Sequence, residues 1–139
     1  MSEKPTRWGI LSAGDICFDF VNSIAALPED LRVQHEVVAI AARSLKKAEE
    51  FAKKFDIPTA YEGYDKLAAD PDVDVIYVGT INPVHLENVK MLVAAGKNIL
   101  CEKPLGMNVK ETKEMIKLAQ EKKVIRISYF LFYFSAMLF

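Results

Sequence analysis

Val37-Val38-Ala39-Ile40-Ala41-Ala42 is an unbroken apolar run set between two stretches of helical periodicity. A strand with one wet face alternates apolar and polar residues, so an unbroken run implies that both faces are covered, as in a parallel sheet. Parallel neighbours need a crossover of a dozen or more residues, normally a helix. The flanking sequence supplies such crossovers. Trp8 to Leu11 is a short apolar strand, and Ile16, Phe20, Ile24 and Leu27 recur as one helical face that Pro28 ends. Ser44 stands where a cap belongs, before a helix whose Leu45, Ala48, Phe51, Ala52 and Phe55 share a face, stopped before Pro58.

The same rhythm continues. Thr59 to Tyr61 predicts a short strand, Tyr64 to Ala69 a small helix and Val73 to Val78 the next strand. Pro83 suits the first turn of a helix running to Ala95, with Gly96 as its C-terminal cap. Ile99-Leu100-Cys101 predicts a buried strand, and Asn108 with Glu111 resembles a capping box for a helix reaching about Lys122. These elements imply an α/β fold, a Rossmann-like doubly wound parallel sheet over residues 6–123. Val124 opens a divergent apolar tail over residues 124–139, a possible sixth strand with 13 apolar residues in 16. That tail is too short for a helix crossing a ~30 Å hydrocarbon core, which needs about 20 residues.

Composition narrows the function. With 51% hydrophobic and 27% charged residues and a net charge of −1, the chain reads as globular, with no footprint for nucleic acid or an anionic membrane. Cys17 and Cys101 form no disulfide framework, and no His/Cys cluster suggests a metal. The N-terminus has no apolar signal region, so a reducing, cytoplasmic location is expected.

The turn after the first strand, Gly9-Ile10-Leu11-Ser12-Ala13-Gly14-Asp15-Ile16-Cys17, sits where a dinucleotide fingerprint belongs. Ser12, Gly14 and Cys17 occupy its three glycine positions. Gly14 is the one kept, and without a Cβ its backbone lets a pyrophosphate approach. The anion would lie over the helix N-terminus near the amides of Asp15 and Ile16, with the Asp15 side chain turned to solvent. At the end of the second strand, an NAD site places a carboxylate on the ribose 2′-hydroxyl. Here stand Arg43 and Ser44, which can offer a planar fork and a hydroxyl to a 2′-phosphate. That favours NADP. The plainer alternative is a surface cation beside a helix cap.

Thr80, Asn82 and His85 follow the fourth strand and can form the floor under ribose and nicotinamide; Asn82 before Pro83 also reads as an N-cap, and His85 as a first-turn surface residue. Glu102-Lys103-Pro104 then puts a lysine in a proline-stiffened turn at a strand's carboxyl end, where ligands of open parallel sheets sit. The alternative is a solvated loop lysine.

Taken together, the Gly14 turn, Ala42-Arg43, Thr80-x-Asn82-Pro83-x-His85 and Glu102-Lys103-Pro104 resemble the N-terminal domain of the Gfo/Idh/MocA oxidoreductases. Within that family the pattern is most similar to the NADP-dependent dihydrodiol dehydrogenases that also act as D-xylose 1-dehydrogenases. Tyr61-x-x-Tyr64, Asp70-Pro71-x-Val73 and Ala94-Ala95-Gly96-Lys97 share the likeness, which covers roughly Arg7 to Lys123. The resemblance implies Lys103 as the catalytic lysine, Glu102 shaping the turn beside the nicotinamide, NADP as cofactor and a small polyol, sugar or dihydrodiol as substrate. It also implies a homodimer built through a C-terminal substrate domain that is missing here, so the chain is expected to be truncated. A lysine working as a base needs its pKa lowered towards neutrality, and a close carboxylate does the opposite, so Glu102 is expected to point away from the reacting oxygen and anchor the turn. A catalytically inactive nucleotide- or partner-binding module is the alternative.

Overall fold

The computed structural model describes residues 4–123; the predicted tail 124–139 lies outside the described residues. Five strands, β1 (Thr6–Leu11), β2 (His35–Ala42), β3 (Thr59–Glu62), β4 (Val75–Val78) and β5 (Asn98–Cys101), form one parallel sheet in the order β3-β2-β1-β4-β5. The helices are α1 (Asp15–Ala25), α2 (Glu29–Arg32), α3 (Leu45–Phe55), α4 (Tyr64–Ala69), α5 (His85–Ala94) and α6 (Val109–Glu121). Strand order reverses between β1 and β4, which makes their carboxyl ends the topological switch point of the doubly wound sheet.

Side chains alternate across a strand, and the core divides accordingly. Ile10, Ile40, Ala42 and Tyr77 join Cys17 and Val21 of α1 and Ala48, Phe51 and Ala52 of α3 on one face. Leu11, Ala39, Ala41, Ile76, Val78, Ile99 and Cys101 join Leu67, Val89, Leu92 and Met115 on the other. Ala39 to Ala42 are all buried, which is why that run carries no polar residue.

Several local expectations are corrected. Cys17 and Val21 are the most buried residues of α1, and Ile16 and Phe20 of the predicted face pack partly buried against the same cluster, while Leu27 lies beyond the end of the helix. Ser44 takes the N-cap backbone conformation of α3 and its carbonyl accepts from Ala48, but its hydroxyl makes no capping bond. Asn82 likewise caps nothing: Asn82–Val84 is a 3₁₀ turn that delays α5 to His85. Asn108 does cap α6, accepting from the Glu111 amide at 3.0 Å, while the Glu111 carboxylate reaches past it to the Met107 amide at 2.9 Å. Gly96 follows α5 at φ +72°, a left-handed position that suits glycine.

Candidate functional site

Backbone hydrogen bonds continue past the strand ends and set the site residues side by side. The Gly63 amide donates to Ala42, Ser12 to Ala41, Gly79 to Leu11 and Glu102 to Val78. Those bonds bring the tips of β3, β2, β1, β4 and β5 into one row at the carboxyl edge. Two open cavities of about 610 and 410 Å³ lie at the opposite end, around Arg7, Glu36 and Asp74 and around Arg7, Tyr61 and Asp70. A dinucleotide on an open sheet lies across the carboxyl edge, so those cavities are in the wrong place for it.

The β1–α1 turn meets the needs of a phosphate by its shape. Ser12 has φ +104°, a conformation that costs a residue with a Cβ about 1–3 kcal/mol and that glycine adopts freely. Gly14 has an ordinary extended backbone, φ −87° and ψ 172°, and a Cβ built on it meets nothing closer than Ser12 Oγ at 3.6 Å. Neither strain nor crowding within the chain demands a glycine there. What its missing side chain leaves is a gap bordered by Ser12 Oγ and the Gly79 carbonyl at the N-terminus of α1, where no side chain caps the first amides. The Asp15 and Ile16 amides begin the helix beside that gap, Asp15 is exposed, and the positive end of a helix dipole there favours an anion.

Cys17, at the third glycine position, is fully buried, and its thiol points to the Leu11 carbonyl at 3.8 Å. Burial pushes the thiol up to about 12, so it is inert. Close packing of α1 on the sheet is preserved from the other side, by Gly79: a Cβ there would collide with Cys17 Sγ and stand 3.0 Å from Tyr77 Cε1.

Arg43 is exposed at the tip of β2 and has no carboxylate partner among the described residues. Tyr64, first residue of α4, brings this tip and the β1 turn together. Burial raises its phenol above the usual tyrosine range, opposed by the nearby Arg43 charge and by the Ser12 side chain. Sequence reasoning marked Tyr64 through the resemblance alone and assigned it no contact.

Beyond β4, Thr80 Oγ1 accepts from Asn88 at 2.9 Å, and Asn88 is a buried polar residue that the sequence reading passed over. His85 is no surface residue. It is 1% exposed, its Nε2 lies 2.8 Å from the Thr80 carbonyl, and its Nδ1 lies 3.1 Å from both the Pro104 and Leu105 carbonyls. Asn82 Nδ2 donates to the same Pro104 carbonyl at 2.5 Å. The loops after β4 and β5 are therefore tied together by side chains that grip backbone, and the ring of His85 is spent on that tie.

Lys103 is exposed and joined to Pro104 by a cis peptide bond. Glu102 is 8% exposed and turns inward: Oε1 accepts from Tyr77 Oη at 2.5 Å and Oε2 from the Lys103 amide at 3.2 Å. The Tyr77 hydroxyl was not legible as a site feature, though a tyrosine amid the aliphatic residues of a buried strand needs a polar partner. Among the described residues no group of three or more His, Cys, Asp or Glu could hold a metal ion, and no helix is long and apolar enough to cross a membrane.

Comparison with known proteins agrees with this geometry. The profile of the oxidoreductase family with the NAD-binding Rossmann fold, Gfo/Idh/MocA, matches residues 6–130. Trans-1,2-dihydrobenzene-1,2-diol dehydrogenase of Xenopus tropicalis is 53% identical over 125 residues, covering 90% of this chain and 37% of the relative. The Bos taurus enzyme of that name is 52% identical over 116 residues, covering 84% and 34%. The chain thus spans about a third of the length of these curated relatives. Among solved structures, a 3-ketoreductase from Actinomadura kijaniata in complex with NADP and TDP-benzene superposes with a TM-score of 0.78 at 30% identity, over 87% of this chain and 36% of that one.

Proposed function

The chain belongs to the Gfo/Idh/MocA family of oxidoreductases with an NAD-binding Rossmann fold, and on that premise we propose that it binds NADP across the switch point and serves hydride transfer at a sugar or trans-dihydrodiol hydroxyl carbon. The observation that carries the choice of nucleotide is Arg43. An exposed guanidinium with no carboxylate partner among the described residues stands at the tip of β2, where NAD specificity calls for an acidic residue. Its planar fork suits a 2′-phosphate, and the Ser44 hydroxyl beside it is unused as a cap.

The remaining roles follow the geometry. The Gly14 gap and the Asp15 and Ile16 amides receive the pyrophosphate. Thr80, oriented by Asn88, floors the nicotinamide side, while Asn82 and His85 act through the backbone of the Pro104–Leu105 loop. When bound, the nicotinamide supplies the hydride acceptor. Lys103 hydrogen-bonds the reacting hydroxyl and takes or relays its proton, with Glu102 held out of its way below the turn. In a C–H oxidation of this kind the carbon gives a hydride, the oxygen gives a proton and the product is a carbonyl compound.

The relatives named as dihydrodiol dehydrogenases support that substrate class, and the NADP-bound 3-ketoreductase supports the cofactor. A second reading is a nucleotide-binding module without turnover, since Gly14 and Arg43, the residues read as holding the nucleotide, both lie at strand tips of this sheet. Titrating the chain with NADPH and NADH, then assaying D-xylose and trans-dihydrodiol oxidation, tests both. Tighter binding of NADPH with turnover supports the first reading, and binding without turnover the second. Binding of neither nucleotide overturns both.

A further inference from the structure

Tyr77 is 1% exposed in β4, between Ile76 and Val78, and its ring lies flat on Phe20 with centroids 3.9 Å apart and planes 4° from parallel. Phenylalanine would fill that slot equally well. Among the described residues the hydroxyl donates to Glu102 Oε1 at 2.5 Å, and Glu102 Oε2 takes the Lys103 amide. Both carboxylate oxygens are thereby occupied. Among the described residues no cation pairs with Glu102. The titratable groups that face it are Tyr77 from β4, Cys17 from α1 and Cys101 from β5, all carrying their protons.

We infer that Tyr77 is a positioning residue for Lys103: by donating to one oxygen of Glu102 it fixes the other under the Lys103 amide and keeps the carboxylate from pairing with the Lys103 ammonium. This rests on the reading of Lys103 as the group that meets the reacting oxygen. A carboxylate free to swing outward would hold the ammonium in an ion pair and withdraw it from that work. A phenol is suited to prevent this. Burial, and then the hydrogen bond to Glu102, hold its ionisation far above neutrality, so it remains a donor at neutral pH. The stacked ring supplies the rigidity, because its plane cannot turn without leaving Phe20.

The test uses the nucleotide-free chain and two readouts at Lys103. Amide exchange measured by NMR reports the bond to Glu102 Oε2, and acylation of the amine by a succinimidyl ester, mapped by mass spectrometry, reports whether the ammonium is paired. In Tyr77→Phe the Lys103 amide should exchange at least ten-fold faster while core amides such as Ile40 stay within two-fold, and acylation should slow at least three-fold. Adding Glu102→Gln to Tyr77→Phe should restore acylation, because a neutral amide does not pair with an ammonium. Should Tyr77→Phe not fold, Glu102→Ala reads the same link: the Lys103 amide is released with acylation not slowed. Unchanged Lys103 exchange in either variant, a uniform rise across all amides, or slow acylation that Glu102→Gln fails to relieve would overturn the inference. Failure of the wild-type chain to bind NADPH would overturn the functional reading alone, since neither readout involves nucleotide.

Discussion

Cys17 of α1 and Gly79 at the tip of β4 occupy one space between them: the thiol lies where a Cβ on Gly79 would have to go. The fingerprint's third glycine normally gives the helix its close approach to the sheet. Here the helix carries a thiol and the strand gives up its side chain. Gly79→Ala should destabilise the chain by about 1–3 kcal/mol through overpacking, since Tyr77 Cε1 and Ile16 Cγ2 also stand 3.0 and 3.1 Å from the added carbon. Urea unfolding would measure it. Cys17→Ala in the same chain should recover part of the loss, and a fully additive pair would refute the shared space.

Ser12 at φ +104° is the complementary case, a residue held where glycine is at ease. Ser12→Gly should keep or raise stability by up to about 1 kcal/mol as the strain is relieved, offset in part by a more flexible unfolded chain. Ser12→Val, with a branched Cβ at the same φ, should lose stability. Equal midpoints in urea for the two variants would contradict the strain.

Arg43→Ala should weaken NADPH binding at least ten-fold, about 1.4 kcal/mol, while changing NADH binding less than three-fold. Fluorescence titration with each nucleotide checks this. Equal losses for both would mean that Arg43 contacts the part of the dinucleotide they share and not the 2′-phosphate.

Stability should fall on the alkaline side. Burial pushes both thiols, Cys17 and Cys101, from 9.0 up to about 12. Their folded-state values are raised, so between pH 9 and 12 the unfolded chain sheds protons that the folded chain keeps. The unfolded state then binds fewer protons, and stability decreases as pH rises through that window. Urea midpoints from pH 7 to 10.5 should decline, and the Cys17→Ala, Cys101→Ala double variant should flatten the decline. On the acid side, hydrogen bonding from Arg7 holds Asp74 below its usual 3.8, giving a contribution present above that value and lost as pH falls through the lower folded one. Asp74 is 42% exposed, so solvent screening keeps this acid contribution the smaller of the two.

Much of the scaffold was legible along the chain. The apolar run at Val37–Ala42 announced a strand buried on both faces, and the small helix around Tyr64 to Ala69 was found, because local periodicity and strand parity are properties of neighbours in sequence. The helix-capping details were less so. Ser44 and Asn82 have the right residue type for caps, yet neither side chain is used that way, and Asn82 turns instead to Pro104, 22 residues on.

By itself the sequence determined the order of strands and helices, the place of the Gly14 turn and the Lys103 turn at strand ends, and the basic residue after the second strand. Each of those is encoded within a few adjacent residues. Only the tertiary structure decided what the polar groups between them do. His85 became a buried tie between two loops, Tyr77 a donor to Glu102, and Gly79 the room for Cys17. Burial removes water as a partner, so each buried polar atom must find another in whatever segment the fold packs against it, and that choice is made across the sheet and not along the chain.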